Sequence, residues 1–150
     1  MARQNYGTIL LFAEGSPEGM KAARDAIYLA AAEGAHLVIA SVVDTGTLKQ
    51  LLTSRIFIEE EMEEYERELE QSCRKQLAYV AQLAEKAKVK HRTSLLRGAC
   101  HTAILREQKE RGAALLVMGA FRMSTARRDL MARAKQLIVD EVPCPILLVR

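Results

Sequence analysis

A chain of 150 residues, 49% of them apolar and with a net charge of +3, has the size and composition of a single globular domain. The charge is too small to imply nucleic acid, no apolar run is long enough to span a bilayer, and the first residues lead straight into a strand-like run, so no signal peptide is expected. Three widely spaced cysteines, Cys73, Cys100 and Cys144, form no CxxC pair; this argues for reduced thiols in a cytoplasm and supplies no zinc ligand set.

The pattern alternates between strands and helices. Gly7 to Ala13 is a short apolar run, read as a buried strand. Ser16 suits an N-cap, Pro17 the first helical position and Glu18 the positive helix end; Ala23, Ala26, Ile27, Ala30 and Ala31 then recur at helical spacing until Gly34 closes the helix. Ala35 to Val43 is a second strand. A long helix follows, with Ile58, Met62, Tyr65, Leu69, Cys73, Leu77, Val80, Ala84 and Ala87 spaced by three or four. At 1.5 Å per residue it is about 45 Å long, so its N-terminal part overhangs any strand or bends. Its eight glutamates between Glu59 and Glu70 read most simply as a solvated face, with a partner site as the second reading.

Val89 to Leu96 is a polar, edge-like strand. Gly98 turns the chain into a helix over Thr102 to Arg111, which Gly112 ends. Ala113 to Gly119 is apolar on both faces, hence central. Ala126 to Val139 is the last helix, Pro143 and Pro145 bracket a sharp turn, and Ile146 to Val149 is a terminal strand. The order βαβαβαβαβ implies a three-layer α/β/α domain, a mostly parallel five-stranded sheet with helices on both faces.

In such a sheet ligands lie beyond the carboxyl ends of the strands, where the strand order reverses. Two loops suit that place: Ala13 to Ser16, and Gly119 to about Ala132. Both lead into helix N-termini, which favour anions. A glutamate-rich stretch, Glu59 to Glu70, and an arginine-rich one, Arg122 to Lys135, can satisfy each other within the chain or between copies. No Ser/His/Asp or Cys/His constellation marks an enzyme, although Cys100 and His101 start a helix, where a thiol pKa can fall. No helix–turn–helix, RNP or finger pattern accompanies the arginines, so nucleic acid is not expected as a partner, nor is a membrane.

Three segments carry a family resemblance. ILLFAEGSPEGMKAARDA is similar to the opening of universal stress proteins, where a strand ends in an acidic residue and a small-residue turn. RGACHTAILREQKERGAALLVMGAFR resembles that family's fourth unit, with Gly98, Ile104, Gly112 and Val117-Met118-Gly119, and VPCPILLVR resembles its closing strand. The matching pieces cover most of the chain; about Thr47 to Lys88 carries no motif.

The resemblance implies a single universal stress protein domain over 1–150, wound like the adenine nucleotide alpha hydrolases or flavodoxin. It implies a nucleotide pocket formed by Phe12, Ala13, Glu14, Val42, Met118 and Gly119. Members that bind ATP carry a glycine after the fourth strand, a second three residues on, a third ten further, and then Ser or Thr. Glycines there let backbone N–H groups approach phosphate oxygens. Here the positions hold Gly119, Arg122, Ala132 and Arg133, so one of four is kept. The acidic residue that would meet the ribose or a metal is Glu14 rather than Asp.

The expectation is a regulatory or interaction module of the non-ATP-binding type, acting in stress response without catalytic turnover and without a cofactor. The alternative is an ATP- or AMP-binding switch in which Arg122, Arg127, Arg128 and Arg133 replace the glycine cradle. The resemblance also implies a homodimer. The apolar edge Ile146 to Val149 supports one independently, since an open apolar strand invites pairing; a protein partner is a further expectation.

Overall fold

The computed structural model describes residues 6–46, 49, 53, 58–122 and 130–150. Strands and helices alternate as β1 (Thr8–Phe12), α1 (Pro17–Glu33), β2 (His36–Asp44), α2 (Glu59–Lys86), β3 (His91–Gly98), α3 (Cys100–Arg111), β4 (Leu115–Gly119), α4 (Leu130–Glu141) and β5 (Ile146–Val149). The helix expected from Ala126 is described from Leu130 onward. None of the described helices is long and apolar enough to cross a membrane.

Every strand pair is parallel, in the order β3-β2-β1-β4-β5. This winding follows the first five positions of the dinucleotide-binding order 3-2-1-4-5-6, not the 2-1-3-4-5 order of flavodoxin. Thr8 to Phe12 pair with His36 to Ala40 on one side, and Ile9 to Leu11 with Leu115 to Val117 on the other. The chain thus reverses direction across the sheet between β1 and β4.

Side-chain alternation along β1 builds the two cores. Ile9 and Leu11 pack with Ala22, Ala26 and Ala30 of α1 and with Leu77, Val80 and Ala84 of α2. Leu10 and Phe12 pack on the opposite face with Ile104 of α3 and Ile138 of α4. A strand buried on both faces can carry an unbroken apolar run, which is why ILLF could be read as central. The row of alanines on α1 lets that helix lie close to the sheet.

Local chemistry sets the boundaries. Ser16 caps α1 by accepting from the Gly19 amide at 3.0 Å, with Pro17 directly after it. Gly34 and Gly112 end α1 and α3 at φ 65° and 62°, where a Cβ would be strained. The helix α2 has 28 residues, about 42 Å, whereas the nine residues of β2 span about 30 Å. Met62 is the one buried residue in its first three turns; its other buried residues begin at Cys73. The overhang expected from its length is present.

Candidate functional site

The carboxyl ends of β1 and β4 meet where the strand order reverses, and the described residues there form a closed junction. The chain leaves β1 through Ala13, whose amide donates to the Ala40 carbonyl at 2.7 Å and whose carbonyl accepts from the Ser41 hydroxyl at 3.2 Å. Glu14 follows. Its carboxylate turns back onto the start of α1, where it accepts from the Ser16 amide at 3.1 Å and from the Ser16 hydroxyl. A negative charge at a helix N-terminus is favourable, since the amides of the first turn have no partners within the helix.

The second half of the junction is Lys135 of α4. It is only 2% exposed. Its Nζ lies 3.4 Å from Glu14 Oε1 and donates to the Gly119 carbonyl at 3.0 Å. One ammonium group therefore ties together the loop after β1, the end of β4 and the last helix. Burying a lysine costs several kcal/mol unless it is paired, and this one has both a carboxylate and a carbonyl. Gln76 of α2 adds a fourth element, donating from Nε2 to the Glu14 carbonyl at 3.2 Å.

Backbone packing closes the same place. A Cβ on Gly119 would lie 2.6 Å from the Gly19 nitrogen and 2.7 Å from the Glu18 carbonyl carbon. A Cβ on Gly19 would lie 2.4 Å from the Glu14 carbonyl oxygen. Gly119 is thus required by the approach of α1 to β4. Glycine at this position was expected to admit a phosphate; the approach of the protein's own helix also requires it.

The residues expected to line a nucleotide pocket divide into two groups. Phe12, Ala13, Val42, Met118 and Gly119 do converge on the carboxyl ends of β1, β2 and β4. Phe12, Val42 and Met118 are buried in the core with Cys100 and Ile104. Arg122 and Arg133 are exposed. Arg122 lines a cleft of about 600 Å³ with Glu18, Phe121, Leu148 and Arg150, beyond the carboxyl ends of β4 and β5. Arg127 and Arg128 lie outside the described residues.

One expectation is corrected. The thiol of Cys100 starts α3, yet burial, then the charge of Asp44, pushes its pKa up to about 12 from the ordinary 9.0. Desolvation outweighs the helix end there. Among the described residues, the glutamate-rich helix meets Arg97 of β3, which bridges Glu66 at 2.9 Å and pairs with Glu70; Arg127 and Arg128 of the arginine-rich stretch lie outside them.

Lys135 and Gln76 were missed by the sequence reading. Both had a signal. Lys135 falls on the same helical face as Ala134 and Ile138, and Gln76 lies between Cys73 and Val80 on the buried face of α2. A polar residue in an apolar stripe marks a buried polar contact as well as a solvated chain.

No curated protein matches the chain in sequence. Solved structures match its fold. One, a protein whose biochemical function was assigned from its structure, has a TM-score of 0.76 at 16% identity, covering 97% of this chain and 96% of that one. Universal stress protein UspA from Lactobacillus plantarum has a TM-score of 0.67 at 21% identity, with 99% and 100% covered. A universal stress protein in complex with cAMP has a TM-score of 0.69 at 21% identity, with 98% of each covered. The sequence profile of the universal stress protein family matches residues 5–150, and the chain belongs to that family.

Proposed function

We propose that this chain is a stress-response module of the non-ATP-binding type, working through protein contacts without turnover. The observation that carries the reading is the ammonium of Lys135, seated between Glu14 Oε1 and the Gly119 carbonyl. A triphosphate needs backbone N–H groups at this end of β4 and a neighbouring cavity. The junction offers instead a carbonyl already engaged, a carboxylate already paired, and arginines at two of the four positions where the glycine pattern belongs. The described residues of the junction do not fit a nucleotide's phosphate tail. Absence of turnover is supported by Cys100, whose buried thiol stays neutral and is a poor nucleophile.

Homodimer formation through β5 belongs to the same proposal. Among the described residues only β4 borders β5, which leaves its other edge open there, and Leu148 is exposed. The reading predicts no heat signal when ATP, AMP or cAMP is titrated into the protein at millimolar concentration, and a dimer by light scattering. Saturable binding of any of the three would overturn the first part. A monomer at micromolar concentration would overturn the second.

The second reading, an adenine-nucleotide switch, draws on the cAMP complex of a structural relative and on the exposed Arg122 and Arg133. It predicts saturable binding that weakens in an Arg122→Ala variant. Unchanged affinity in that variant would remove it.

A further inference from the structure

We infer that an exposed stripe of α2 is a second self-association surface, on which two copies of this chain pack their long helices antiparallel about an axis beside Ser72. Ile58, Tyr65, Ser72, Tyr79 and Lys86 follow one another at intervals of seven. Ile58 is 60% exposed, Tyr65 43% and Tyr79 45%. A repeat of seven drifts about 20° per repeat around a straight helix, so these residues form one slowly turning stripe suited to a shallow crossing with a second helix.

Charge selects the occupant and its direction. Residues 59–72 hold eight glutamates and one arginine, whereas 73–88 hold four basic residues and one glutamate. Complementing the helix dipole requires acidic groups only in the first turn. Here the acidic block runs for more than three turns; among the described residues Arg97 takes up Glu66 and Glu70, and Arg74 also meets Glu70. A basic peptide would satisfy one half of the helix. A second, antiparallel copy satisfies both halves at once.

The stripe has matching symmetry. Ser72 is its midpoint, so a two-fold axis there sets Tyr65 of one copy against Tyr79 of the other, and Ile58 against the stem of Lys86. The surface is remote from the β5 edge, because α2 packs on β2 and β3 at the other side of the sheet. Both contacts can therefore form in one assembly, and each can be broken alone.

The test is disulfide trapping in the full chain, on a Cys144→Ser background to silence the most exposed native thiol. Ser72→Cys places two thiols at the proposed axis. Gln71→Cys places them on a different, exposed face of the same helix. Under mild oxidation the Ser72 variant is expected to cross-link on the order of tenfold faster or more, since held thiols meet at a high effective concentration. Adding Lys75→Glu should slow the trapping, and combining it with Glu68→Lys should restore it. Equal rates at positions 71 and 72, or no effect of Lys75→Glu, would overturn the inference. A Leu148→Asp variant, which breaks only the β5 contact, should leave the Ser72 trapping unchanged; its loss there would also overturn the inference.

Discussion

Two ion-pair groups in this molecule use the same chemistry in opposite settings. At the β1–β4 junction, the side chains of Lys135 and Glu14 are 3% and 14% exposed. On the flank of β3, Arg97 spans Glu66 and Glu70 with exposures of 47%, 39% and 26%. The inner pair is the longer of the two, at 3.4 Å against 2.9 Å for Arg97 and Glu66. Length is nevertheless a poor guide to worth. The buried ammonium has given up its water and depends wholly on two protein oxygens. The guanidinium keeps much of its hydration, and its neighbours are screened. The junction thus holds the fold together, and the flank sets a surface charge pattern.

Removing Lys135 is the strongest way to break this contrast. Lys135→Ala leaves Glu14 without its cation and Gly119 without its donor, and should cost about 3–5 kcal/mol in urea unfolding. Pairing Glu14→Gln with Lys135→Met should recover part of that loss, because no buried charge is then stranded. A Lys135→Ala cost under about 1 kcal/mol would make the inner pair no different from a surface one. Gly119→Ala tests the backbone half of the same closure. Its Cβ would meet main-chain atoms of α1 that cannot rotate away, so a loss of about 1–3 kcal/mol is expected. Full stability in that variant would mean that α1 yields easily and that the junction is looser than its contacts suggest.

These effects also mark what could be read from sequence. The strand–helix alternation was legible because each apolar run is bounded by a residue with one conformational meaning: Ser16 and Pro17 at the start of α1, Gly34 and Gly112 at left-handed helix ends. The polar alternation of Val89 to Leu96 likewise marked β3 as an edge. The place of the candidate site was legible from topology, and its filling was not. Lys135 has the residue type of a surface position, and only its helical phase places it inward. Its partner lies 121 residues away, and no local pattern links them. Cys100 failed for a related reason: a helix start is visible in sequence, but the packing of Phe12, Met118 and Ile104 that desolvates the thiol is not.

That thiol gives a pH-dependent prediction of intermediate size. Unfolded, Cys100 ionises above its ordinary 9.0; folded, it stays protonated to about 12. Between those values the native state binds the extra proton, so stability falls as pH rises, by up to about 1.4 kcal/mol per pH unit. Below pH 9 the contribution is constant. A Cys100→Ala variant should lose less stability than the parent from pH 9 to 10.5 in urea unfolding, whatever its stability at neutral pH. Identical slopes would mean the thiol reaches water in the folded protein.

The smallest effect belongs to the outer group. Arg97→Ala removes a cation shared by two carboxylates, yet all three side chains are partly solvated, and the loss should be at most about 1 kcal/mol. Salt supplies the sharper reading. Raising ionic strength from 0.05 to 0.5 M, values on the order of those that shorten the Debye length from well above 10 Å to a few ångströms, should erase most of the Arg97 effect and little of the Lys135 effect. An Arg97→Ala loss that persists in high salt would mean that the guanidinium acts by packing its stem against α2, because contact area is insensitive to screening and charge is not.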